Sequence, residues 1–111
     1  MVADRISSPS NPRIKAFARL KKARVRSETG LFLIEGSRVT ERAQAAGSTS
    51  AEAFLCHAYA TAGTRVLAHS LAECGIPLTT TSTRAFDKLS MRQHPDGIVA
   101  VAPLWDTSLT R

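Results

Sequence analysis

Four cations, Lys15, Arg19, Lys22 and Arg26, recur at i, i+4, i+7 and i+11. On one α-helix that spacing gathers them into a sector about 60° wide. Like charges so placed repel one another by a few tenths of a kcal/mol per pair, and no acid is interleaved between Lys15 and Arg26 to relieve them. A polyanion laid along the row would do so, which makes phosphate neutralisation the chemistry the row offers. A solvated helix face is the competing account. Arg13, two residues before the row begins, belongs to the same candidate set.

A second constellation stands at Ile34-Glu35-Gly36-Ser37-Arg38, where a short apolar run gives way to a helical pattern. Gly36 permits close backbone approach, the N–H groups after it point out of a helix N-terminus, and Arg38 and Arg42 lie one turn apart. The same residues also fit a tight strand-to-helix turn whose arginines are merely exposed. The loop Arg92-Gln93-His94-Pro95-Asp96-Gly97 precedes the last apolar run and adds a cation, Arg92, and a polar donor, His94. If the first and last strands are neighbours, both loops open on one edge.

For bond-making chemistry the inventory is thin. GxSxG, P-loop, GxGxxG and HExxH spacings are all missing. Glu35, Glu41, Asp87 and Asp96 are lone acids, and no two are spaced to hold a carboxylate pair on one element. Ser37 with Glu41 reads as a helix-capping arrangement. Cys56 and Cys74 form no CxxC pair, and His57, His69 and His94 are scattered. Cys56 and His57 are adjacent, so on a strand they face opposite ways and chelate poorly. No catalytic residue, metal site or cofactor site is expected, and the cysteines read as reduced thiols.

These candidates need elements to position them. Asn11 before Pro12 is a helix start, with Asn as N-cap and Pro at the first helical position. The spacing predicts one helix to about Arg26, burying Ile14, Ala18 and Val25 with Phe17 beside them. Residues 27–30 read as a turn and 31–34 as a buried strand between Gly30 and Gly36. A helix over 37–46 ends at Gly47, a strand covers 53–56, and a helix over 64–74 ends at Gly75. Residues 77–81 suggest a short edge-like strand because Pro77 cannot donate to a ladder. Ser82 or Thr83 caps a helix around 84–91, and 98–102 is a last strand of β-branched and small residues. Helices alternating with strands imply an α/β domain with both faces of a small sheet covered.

The chain has 111 residues, 43% of them apolar and 22% charged, so it is one globular domain and neither disordered nor collagen-like. Its apolar runs are far shorter than the roughly 20 residues of a membrane span, and residues 1–10 are polar with no secretory segment. A cytoplasmic protein without a membrane partner is expected. The formal charge of +6 is unevenly placed: residues 1–26 hold eight bases and one acid, whereas residues 27–111 hold seven bases and eight acids. Residues 1–10 read as a flexible arm. After Pro103 the pattern lapses into polar residues around an isolated Trp105, which reads as the start of a linker over 104–111.

The stretch from Ile6-Ser7-Ser8-Pro9-Ser10-Asn11-Pro12-Arg13-Ile14-Lys15 through the basic run, Gly30-Leu31-Phe32-Leu33-Ile34-Glu35-Gly36-Ser37-Arg38, and His94-Pro95-Asp96-Gly97-Ile98-Val99-Ala100-Val101 is informative as a set. It resembles the N-terminal substrate-binding domain of SpoU-type (TrmH-type) RNA 2′-O-ribose methyltransferases over about residues 5–103. The resemblance implies a three-layer α/β/α sandwich with a mixed sheet of about four strands, like that of kink-turn-binding ribosomal proteins. It also implies a following SPOUT catalytic domain that binds S-adenosylmethionine. By position, the RNA contacts of those ribosomal proteins correspond to Gly36, Ser37, Arg38 and Arg42 and to residues around His94–Gly97. The ribosomal proteins read tandem G·A pairs with an Asn-Glu pair, and Arg38-Val39 stands there in this chain, which leaves phosphate binding by shape.

The family's catalytic segments, Asn-x-Gly, Glu-x-x-Gly and a late Ser-Leu-Asn, have no counterpart in residues 1–111. The reading is therefore an RNA-binding module that positions structured RNA, ribosomal RNA above all, for methylation by its own C-terminal domain. This chain would be monomeric and its parent a homodimer, as SPOUT enzymes usually are. The alternatives are a protein-docking module of the same fold or a free-standing ribosome-associated protein.

Overall fold

The computed structural model describes residues 5–47 and 50–103. The expected linker over 104–111 and the first four residues of the expected arm lie outside that range.

The opening helix starts as its sequence requires. In α1 (Pro12–Ala18) the Asn11 side chain accepts the Arg13 N–H at 2.9 Å, and Pro12 sits at the first turn. It does not run to Arg26. A 3₁₀ turn (Arg19–Lys21) follows, Lys22 is extended at φ −92° and ψ 131°, and a second helix, α2 (Ala23–Thr29), ends at Gly30. The reason is Leu20. On a straight helix it would project about 120° away from Ile14, yet Leu20, Ile14 and Val25 all reach one core at 2%, 0% and 5% exposure. The break turns Leu20 inward, and it replaces the expected turn at 27–30 with the end of α2. Arg26 repairs the break, its guanidinium donating to the carbonyls of Leu20 at 3.0 Å and Lys21 at 2.9 Å.

The remaining elements are β2 (Leu31–Glu35), α3 (Ser37–Ala45), β3 (Glu52–Leu55), α4 (Ala62–Glu73), β4 (Leu78–Thr81), α5 (Thr83–Leu89) and β5 (Ile98–Pro103). A strand the sequence reading did not resolve, β1 (Arg5–Ile6), pairs with β4 and buries Ile6. The sheet therefore has five strands in the order β1-β4-β3-β5-β2. Two pairings are parallel, β1 with β4 and β3 with β4, and β5 runs antiparallel to β2 and β3. Residues 5–6 are thus not part of a free arm. Nor does β4 lie at the edge: Pro77 precedes the strand, and its carbonyl accepts the Ala53 N–H at 2.9 Å.

Strand alternation sorts the core into two faces. Val99 and Val101 of β5 join Phe54, Phe86, Leu89, Ile14 and Leu20 beneath α1, α2 and α5. Ile98, Ala100 and Ala102 join Leu55, Leu67 and Leu71 beneath α3 and α4. Helices on both faces of a mixed sheet make the three-layer sandwich, with β5 wholly buried from Ile98 to Ala102. Among the described residues no helix is long and apolar enough to cross a membrane.

The sheet closes tightly at Gly97, whose φ is +90° and whose carbonyl accepts the Cys56 N–H at 2.8 Å. A Cβ there would lie 2.7 Å from the Cys56 carbonyl oxygen and 2.9 Å from the Ala60 nitrogen. Gly75 has a similar φ, +85°, but open space around it. Gly75→Ala is expected to cost about 1 kcal/mol of backbone strain, and Gly97→Ala about 3 kcal/mol or more, because a backbone clash adds to the strain. Urea denaturation of the two variants measures the difference; equal midpoints would refute the close approach.

Candidate nucleic-acid interface

Because β2 and β5 are antiparallel with Glu35 opposite Val99, the end of β2 and the start of β5 meet at one rim of the sheet. Two carboxyl groups cinch that rim. The Asp96 Oδ2 accepts both the N–H and the hydroxyl of Ser37, each at 2.8 Å, so the N-terminus of α3 already faces an anion supplied by the chain. The cap expected from Ser37 and Glu41 is not formed, since the N-cap is Gly36, with no side-chain cap bond. Glu35, buried at 7% exposure, accepts the Ser90 hydroxyl and the Met91 N–H, the latter at 2.6 Å. Its backbone oxygen accepts from the Arg92 guanidinium at 3.0 Å. That guanidinium fills the space a Cβ would need at Gly36, whose φ is +100°. Glu35, read from sequence as a lone acid, is the bracket that holds the loop.

The structure divides the candidate cations into committed and free. Arg13 pairs with Glu52 and lies 5.7 Å above the Phe54 ring. Arg26 caps the 3₁₀ turn, and Arg92 is tied to Glu35. Gly36 and Ser37 shape and cap the turn. Lys15, Arg19, Lys22, Arg38 and Arg42 are exposed, and among the described residues ion pairs form only at Arg13–Glu52 and His69–Glu73. The break at Lys22 also dissolves the single row of four, leaving Lys15 and Arg19 in helical register with Lys22 beyond them.

Sequence reasoning missed Arg84 and Lys88, exposed one turn apart on α5. Their spacing was visible. What could not be seen was that α5 packs beside α1, which puts them in the same helical layer as Lys15. Lys21 joins the two elements, its ammonium donating to the carbonyls of Lys88 at 2.8 Å and Ser90 at 3.0 Å, a cation at a helix C-terminus.

Between α5 and the 90–97 loop lies a cleft of about 490 Å³ lined by Tyr59, Asp87, Ser90, Arg92, Gln93, His94 and Pro95. The Tyr59 hydroxyl donates to Asp87 Oδ1 at 2.8 Å, and its ring stands 5.9 Å from that of buried Phe86 at 64°. The bond to Asp87, with burial and the Asp87 charge adding to it, holds the Tyr59 phenol above its ordinary value of 10.0. Among the described residues no three metal-binding side chains cluster, and Cys56 and Cys74 are free thiols.

A profile of the MRM3-like substrate binding domain matches residues 11–100. A solved structure described as an RNA 2′-O ribose methyltransferase is 34% identical with a TM-score of 0.82, over 92% of this chain and 38% of that one. An rRNA methyltransferase from Sinorhizobium meliloti is 18% identical with a TM-score of 0.72, over 89% of this chain and 36% of that one. The SpoU methyltransferase AviRb from Streptomyces viridochromogenes is 21% identical with a TM-score of 0.68, over 85% of this chain and 33% of that one. At those identities the last two show likeness of fold; both have also been solved with AdoMet. The chain spans less than two fifths of each of these three structures. Among curated proteins none matches.

Two measurements check the rim and the cleft. Glu35→Ala strands the Ser90 hydroxyl and the Met91 N–H and is expected to cost about 2 kcal/mol, with faster hydrogen exchange at Met91; unchanged exchange would mean the bracket does not hold the loop. Tyr59 is the single tyrosine of the chain, so its ionisation can be followed by absorbance. It should titrate above its ordinary value, and Asp87→Ala should bring the midpoint down.

Proposed function

The chain belongs to the family of MRM3-like substrate binding domains, and from that membership we propose that it holds structured RNA, ribosomal RNA in particular, for 2′-O-ribose methylation by a catalytic domain elsewhere in its parent protein. The observation that carries this reading is the face shared by α1, the 3₁₀ turn and α5. There Lys15, Arg19, Lys22, Arg84 and Lys88 are exposed without an ion-pair partner among the described residues. Cations with flexible stems and no acid to satisfy them suit a phosphate backbone. Arg38 and Arg42 on α3, and His94 in the loop, extend the proposed contact set to the cinched rim. Arg13, Arg26 and Arg92 serve it from behind by holding the elements together, as do Gly36 and Ser37.

S-adenosylmethionine belongs, on this reading, to the catalytic domain.

Each phosphate neutralised contributes about −0.7 to −0.9 to the slope of log K against log salt. Binding of the chain to an rRNA hairpin should therefore weaken steeply as salt is raised. Reversing Arg19 and Lys22 to glutamate should lower affinity at least about tenfold and flatten the slope by about 1.5 or more, with the far-UV spectrum unchanged. Arg13→Gln should leave the slope as it is, because that guanidinium is already paired. A flat salt dependence of the unaltered chain, as a domain that docks protein would give, overturns the reading.

A further inference from the structure

The cleft beside α5 contains a feature that phosphate binding does not explain. Asp87 is an exposed carboxylate on the same short helix as Arg84 and Lys88, yet it makes no ion pair among the described residues. One of its oxygens accepts the Tyr59 hydroxyl at 2.8 Å. An acid there repels a phosphate backbone, so its use is with hydrogen-bond donors. Resting on the RNA reading above, we propose that this cleft takes one unpaired nucleobase of the bound RNA, and that the base is guanine.

Three observations converge on that ligand. The cleft, about 490 Å³, falls within the range of about 300–1,000 Å³ common for small-ligand pockets, and its lining joins Asp87 of α5, the helix that carries Arg84 and Lys88, to Arg92 and His94 of the loop. A backbone lying on both elements would pass it. Its wall includes Tyr59, which is fixed at two points, by the hydroxyl bond to Asp87 and by the contact of its ring with Phe86. A positioned aromatic gives any extruded base a stacking surface. The polar groups then choose among bases. Guanine alone presents two adjacent N–H donors, N1–H and N2–H, on its Watson–Crick edge, matching a carboxylate. Adenine and cytosine offer one amino group beside an acceptor, and uracil one N–H between two acceptors. Gln93 and His94, which also line the cleft, supply donors for the guanine carbonyl side. A paired guanine cannot enter, because its N1–H and N2–H are already donated to cytosine and the base is stacked within the duplex; sequence-specific recognition of RNA falls on unstacked, splayed-out bases. The RNA must carry an extruded guanosine.

The test uses the chain as it stands and three hairpins identical except for a single bulged G, a single bulged A, or no bulge, with affinity read by fluorescence anisotropy at fixed salt. The bulged-G hairpin is expected to bind about tenfold or more tightly than the other two, the discrimination of one bidentate base contact. Asp87→Asn, which turns an acceptor into a donor at an exposed position, should reduce the bulged-G affinity to that of bulged A and leave the salt slope intact. Tyr59→Leu should weaken both bulged hairpins and spare the fully paired one. Equal binding of all three hairpins with a steep salt slope overturns the cleft proposal and leaves the RNA reading standing. Failure to bind any of them overturns the RNA reading and this proposal with it.

Discussion

The pairing of β2 with β5, and the two carboxyl groups that close its end, set the terms for the rest of the molecule. These strands are adjacent in the sheet but their paired residues are 64 to 72 positions apart in sequence, so their union is a long-range contact whose loop-closure entropy must be offset locally. Glu35 reaches from β2 to Ser90 and Met91, and Asp96 reaches from the opposite loop to Ser37. The Asp96 carbonyl also accepts the Thr64 hydroxyl at 2.8 Å, which fastens α4 to the same rim. One junction thereby orients α3, α4 and the 90–97 loop together.

That arrangement shows how a chain with a formal charge of +6 distributes its acids and bases. Glu35 and Asp96 are turned onto the chain's own donors, and Glu52 onto Arg13. An uncompensated carboxyl group at such a site would be costly, whereas one that accepts two hydrogen bonds is tolerated and orders its surroundings. The cations left over include those exposed on α1, α3 and α5 and in and just after the 3₁₀ turn. The helix N-terminus that looked like an anion site in the sequence is an anion site, but Asp96 occupies it. What a spacing argument detected was the right physics with an internal ligand.

Much of the fold was legible, and the exceptions share a cause. Asn11-Pro12, the apolar runs and the glycine stops are local signals, and α1, β2, β3, β5 and the helix order follow from them. Leu20 is different: its side chain fits the amphipathic wheel poorly, and only the depth of the core over Phe54 and Phe86 makes breaking a helix at Lys22 worthwhile. β1 is two residues long and exists because β4 offers it an edge. For the site, the residue types were visible, and the bases on α1 and α3 that the sequence offered as RNA contacts are exposed. The roles of Glu35, Tyr59 and Asp87 were not, because each acts through a partner 28 or more positions away.

The division between committed and free cations bears on how such a domain would discriminate. Lysine and arginine stems on short helices reach phosphates of any sequence and impose little geometry, so on the proposed reading they account for affinity and its salt dependence. Discrimination requires groups whose positions are fixed before the ligand arrives. Those are found only where the chain binds itself: the loop pinned by Glu35, the turn closed at Gly97, and Tyr59 held between Asp87 and Phe86. The cost of that rigidity is met by the same hydrogen bonds that fold the sheet, so less entropy remains to be lost on binding at those points. On the proposed reading, a surface that grips loosely along α1 and α5 and stiffly at the rim collects RNA broadly by charge and retains the molecule whose shape meets the rim.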